Sequence, residues 1–190
     1  MKPGFESELI PRDDALHLIG ALNVMKVKAH NASRRWELLD EDGHVPAMPS
    51  YMVLLQHVTD AQDFSRDVLG LTAEFARSPH YTTRDGSAVL KHLAVAATMP
   101  SYAASYFAET AEHALALLRS TNPADRQYLS NNMVHGHATG RSYLRRTSES
   151  LRDAGKELED HLGFQRSLAQ LARQETPPAP PAPRPGGRPR

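Results

Sequence analysis

The sequence predicts an all-α fold, a mainly antiparallel multi-helix bundle of about five helices over residues 8–174, followed by a proline- and arginine-rich tail over 175–190. Three observations predict it. Apolar residues recur at spacings of three and four along almost the whole span, the period that lines them up on one face of a helix. Caps and breakers fall between these runs, at Asp42-Gly43, Pro46, Pro49, Ser78-Pro79 and Asn122-Pro123. Alternation of apolar and polar residues with period two, which marks a half-buried strand, is absent throughout.

The first helix is expected from Asp13 to Leu39, with Leu16, Ile19, Leu22, Ala29, Ala32, Trp36 and Leu39 as its buried stripe. Ser50 is placed to cap the second, which Val53, Leu54, Val58, Ala61, Phe64, Val68, Leu71 and Phe75 carry to Arg77. After Ser78-Pro79, the segment HYTTRDG reads as a loop leading to a short third helix over 87–98. Pro100 then separates a fourth helix over 101–119, with Ala104, Phe107, Ala111, Leu115 and Leu118 as its seam. A proline inside a helix removes one hydrogen bond and crowds the preceding turn, which is why a break is expected there.

Asn122-Pro123 is a cap and first-turn pair for a last helix that runs to about Arg173, with or without a break at Gly136. Within it Leu144, Leu151 and Leu158 are seven apart, with Thr147, Ala154 and His161 between them, a short heptad seam. The tail TPPAPPAPRPGGRPR, from Thr176, cannot bury apolar area and reads as a polyproline-like or disordered tether.

A chain of 190 residues is long enough for one domain with a real core. Its 22 Lys and Arg balance 22 Asp and Glu, and no block is strongly polarised, so no net field draws it toward nucleic acid or an anionic membrane. The lack of cysteine excludes disulfides, thiolate nucleophiles and zinc ribbons. MKPGFESELIPRDD carries charges where a signal peptide has its apolar stretch, and the longest uncharged run, Leu93 to Ala108, contains Pro100. A cytoplasmic protein without a membrane partner is expected.

The stretch NNMVHGHATGRSYLRR holds two histidines one residue apart. On a helix such positions lie roughly 200° apart, so His135 and His137 cannot grip one ion from within it. Gly136 and Gly140 instead offer a small-residue face on which another helix can approach closely. An anion-binding turn beside Arg141, Arg145 and Arg146 is the competing reading, and it requires a helix break here.

Tyr102, Tyr106, Glu109 and His113 fall at i, i+4, i+7 and i+11, on one stripe of the helix over 101–119. Tyrosine combines a large apolar body with a polar tip and suits an interface. These four, with Arg141, Arg145 and Arg146, are the candidate partner-binding residues. His57, Asp60, Asp63 and Asp67 read as a solvated acidic face, since the paired Glu-x-x-His pattern of di-metal bundles is missing. A metal centre would need His135, His137, Glu109, His113 and Asp60 to converge from different helices.

Residues 92–111 resemble a helix-turn-helix around Thr98-Met99-Pro100. Its second helix offers Glu109 and Glu112 but no Lys or Arg before Arg119, which is a poor start for contacts to phosphates. No Gly-x-Ser-x-Gly elbow is present. The expected function is a non-enzymatic helical interaction or accessory protein, without cofactor, that docks to a protein partner or forms a homo-oligomer. A DNA-associated regulator using 92–111 and a bundle metal enzyme with a His/carboxylate centre are the alternatives.

Overall fold

The computed structural model describes residues 9–174, so the tail reading lies outside the described residues. These are all-helical, without a strand: α1 (Arg12–Arg35), α2 (Tyr51–Arg77), a 3₁₀ turn (Pro79–Thr82), α3 (Arg84–Arg119) and α4 (Pro123–Gln174). None is long and apolar enough to cross a membrane.

Four α-helices stand where about five were expected, because α3 continues straight through Pro100. The turn required for a helix-turn-helix at 92–111 is therefore not formed. Pro100 is itself buried in the core, and that packing offsets the lost backbone bond. A neighbouring carbonyl, that of Ala97, accepts a hydrogen bond from Ser65 Oγ of α2 at 3.0 Å. The helix also starts earlier than expected, since Thr83 Oγ1 accepts from the Gly86 backbone N–H at 3.0 Å and caps it.

Ser50 caps α2 through Val53 N and Asn122 accepts from Ala124 N ahead of α4, both at positions read from the sequence. The end of α1 comes earlier, at Arg35 rather than Leu39. Beyond it Asp40 Oδ1 accepts from the backbone N–H groups of Asp42 and His44, and Gly43 takes a positive φ of 79°.

In the bundle α4 packs along both α1 and α3, and α2 packs along α3, whereas α1 and α2 meet only sparsely. Its core forms three successive clusters. One end holds Leu18, Leu22, Val68, Phe75, Leu93 and Leu151, the middle Ala29, Ala32, Phe64, Phe107 and Leu144, and the other end Leu38, Leu54, Leu117 and Met133. All six heptad positions of α4, Leu144, Thr147, Leu151, Ala154, Leu158 and His161, are buried, so that seam faces the bundle's own core.

Several stripe positions differ from expectation by a residue or two. Leu16, Leu39, Val53 and Leu118 are exposed, and Ala15, Leu18, Leu38 and Leu117 are buried instead. A helix of 3.6 residues per turn drifts against any pattern of threes and fours, and the neighbouring helices choose which edge of a broad apolar stripe is covered.

Candidate functional site

Gly136 and Gly140 of the HGHATG stretch pack against α3. A Cβ on Gly140 would come within 2.6 Å of the Phe107 ring, and one on Gly136 within 2.9 Å of Thr110 Oγ1. With α4 unbroken here, the turn needed for an anion cradle is not formed. His135 is exposed and His137 buried, on opposite sides of the helix as their spacing requires.

His137 enters an aromatic layer to which each helix or its end contributes one ring: Trp36 at the C-cap of α1, His57 of α2, Phe107 of α3 and His137 of α4. Trp36 and His57 stack at 4.4 Å and 6°, and the two imidazole centroids lie 5.5 Å apart. His57 Nδ1 and His137 Nε2 are buried with no hydrogen-bond partner among the described residues. Burial, only partly opposed by the Asp60 carboxylate, holds His57 below the usual imidazole range. His137 is held down to about 4 by burial, then by His57 and by the Arg141 guanidinium. Both rings are thus neutral at pH 7 and pack as polar-edged aromatics.

Arg141, an expected partner-binding residue, points inward to α1. Its Nε donates to the Ser33 carbonyl at 2.7 Å and its Nη2 to that of Arg34 at 3.4 Å. In a longer α1 these carbonyls would accept from Glu37 and Leu38, so the guanidinium replaces the next turn and frees Leu38 to enter the core. Arg126 treats the end of α3 alike, donating to Leu117 O and Ser120 O.

Tyr102 and Tyr106 join Tyr143 of α4 on the surface. The rings of Tyr102 and Tyr143 are 5.3 Å apart and those of Tyr106 and Tyr143 5.7 Å. Tyr102 is 49% exposed, and the other two are half-buried. Glu109 is exposed further along α3, His113 is half-buried, and Arg145 and Arg146 are exposed beyond Tyr143. The candidate metal residues do not gather: among the described residues no three His, Asp or Glu side chains form a group able to hold an ion. Asp60 instead accepts from Gln56 on its own helix.

At the far end of α4, His161 Nδ1 lies 2.6 Å from Asp85 Oδ2. Its Nε2 accepts from the Ile10 backbone N–H at 3.1 Å, which places the ring proton on Nδ1, facing the carboxylate. That arrangement pins the entry to α1 against α3 and α4, and leaves Nε2 engaged with backbone.

No family, no curated protein and no solved structure matches this chain.

His57, Trp36 and Tyr143 do not stand out together in the sequence. One signal is present there: His57 stands three after Leu54 and four before Ala61, squarely on the buried stripe of α2 rather than on the acidic face.

Proposed function

We propose that this chain is a non-enzymatic helical interaction protein that docks a protein partner on the face shared by α3 and α4. The observation that carries the reading is the ring cluster of Tyr102, Tyr106 and Tyr143, three aromatic bodies from two helices already held in contact. Pre-assembled tyrosines present large contact area at little cost in side-chain ordering. Arg146, exposed one turn on from Tyr143, favours a partner with an apolar centre and an acidic flank. An antiparallel course of α3 and α4 belongs to this reading. It is supported by Thr110 lying beside Gly136 while Asp85, much earlier in α3, lies beside His161.

A photo-crosslinking amino acid at position 102 tests the proposal, with one at Val24, 70% exposed on α1, as control. A protein crosslinked from 102 and not from 24 is purified, and its binding is measured directly. The Tyr102→Ser/Tyr143→Ser double variant is expected to weaken that binding about tenfold or more. Equal crosslinking from both positions, or unchanged affinity of the double variant, overturns it.

A further inference from the structure

Past Gln165, which still donates to the Ile10 carbonyl, α4 leaves the bundle behind. Each residue from Arg166 to Gln174 is exposed, about 13 Å of helix beyond the level at which His161 meets the first turn of α3. Along this end Phe164, Leu168 and Leu171, exposed by 56%, 39% and 57%, stand at i, i+4 and i+7 and form one apolar stripe. Leu168 is seven residues on from His161, so the stripe prolongs the heptad seam that the bundle buries further back. It borders a groove of about 680 Å³ that Leu9 also lines, with Asp85, Glu157 and Asp160 among its walls.

Charge is divided along the same segment. Glu157, Glu159 and Asp160, next to Lys156, precede the stripe, and Arg166 and Arg173 lie within and after it, with Glu175 following in the sequence. We propose that a second copy of this chain covers the stripe, the two α4 ends pairing antiparallel about a two-fold axis near Leu168. In that register Phe164 of each copy meets Leu171 of the other, and Arg173 of each lies within a turn of Asp160 and Glu159 of the other. A parallel pairing would set like charges side by side. Isologous pairing asks for such a self-complementary patch, and a formal net charge of zero opposes no second copy at long range. With three large apolar side chains per copy the contact is small, so the dimer is a weak one that forms with rising concentration.

The test is the mass of the full-length protein by sedimentation or light scattering, from low micromolar to several hundred micromolar. The mass is expected to rise from 21.0 kDa toward twice that value. The Phe164→Ser/Leu168→Ser/Leu171→Ser variant is expected to remain monomeric with its helical circular dichroism and Tm kept, since the three side chains lie outside the core. The absence of cysteine allows a positional trap. Under mild oxidation Leu168→Cys should form a crosslinked dimer, and Tyr128→Cys, 66% exposed near the start of α4, should not. Arg173→Glu should weaken the dimer several-fold, and adding Asp160→Arg should restore it.

A chain that stays monomeric at every concentration overturns the proposal, as does a dimer that survives the triple substitution or traps equally well through both cysteines. A full chain that is monomeric while a version ending at Gln174 dimerises overturns it too, by showing that residues 175–190 cover the stripe. None of these variants touches the tyrosine face, so the outcome is independent of the proposed function.

Discussion

Gly140 of α4 lies against the ring of Phe107 of α3 so closely that a methyl group in place of its hydrogen would sit 2.6 Å from the ring. The Phe107 ring is fully buried and also meets Trp36, His57 and His137, so it has nowhere to retreat.

Gly140→Ala is therefore expected to destabilise the fold by about 1–3 kcal/mol, the usual cost of overpacking a dense core. Gly20→Ala is the control, because a methyl at Gly20 would meet nothing within 4 Å and the residue is exposed on α1. There alanine should stabilise by about 0.5–1 kcal/mol through helix propensity. Urea denaturation of both variants measures the contrast, and a harmless Gly140→Ala would refute the close fit.

The His57–His137 layer makes stability depend on pH in a definite direction. The unfolded chain protonates an imidazole near 6.5, the folded chain protonates His137 only near 4, and burial lowers His57 as well. Both groups leave stability complete above about pH 6.5, and it falls as the pH drops toward 4 because the unfolded state takes up protons first. For His137 alone the loss is on the order of 3 kcal/mol. His137→Phe should flatten this slope relative to the parent between pH 6.5 and 4. Parallel slopes for the two proteins would show that the ring does not carry the effect.

Arg141→Met keeps the side-chain stem and removes the donors to Ser33 O and Arg34 O. A cost of about 1–3 kcal/mol is expected for leaving those carbonyls without a charged donor. Because the Arg141 charge also lowers His137, the same variant should raise the His137 pKa, read from its imidazole NMR signals. A change in stability with no movement of that titration would place the guanidinium elsewhere.

Ser65→Ala should cost about 1 kcal/mol by removing the hydroxyl that donates to Ala97 O beside Pro100. In a Pro100→Ala background the same change should cost about as much, because the backbone bond recovered there runs to the carbonyl of Ala96 and not to that of Ala97. A double-mutant cycle checks this, and a coupling well beyond about 0.5 kcal/mol would refute it.

Much of this architecture was legible in the sequence because it is local. Ser50 and Asn122 cap where their spacing placed them, the α4 heptad is buried, and the angle between His135 and His137 follows from helical geometry alone. What escaped depends on partners distant in sequence. Pro100 reads locally as a break, and its burial among the other helices makes an unbroken helix tolerable there. Leu39 carries on the apolar pattern of α1, yet the helix ends at Arg35, where Arg141 supplies the stopper through Ser33, 108 positions before it. His57 reads as one member of an acidic row, although its spacing from Leu54 and Ala61 sets it on the buried stripe; what the sequence does not show is that Trp36 and His137 meet it there.

The order of the helices along the chain also governs how the bundle closes during synthesis. The first helix packs chiefly on the last and barely on its neighbour in sequence, through ties such as Ser33 to Arg141 and Ile10 to His161. At a synthesis rate of about 5–20 residues per second, α1 leaves the ribosome many seconds before the helix that will cover it. During that interval Leu18, Leu22, Ala29 and Ala32 lack the helix on which α1 chiefly packs, and the bundle can close only once translation has passed α4.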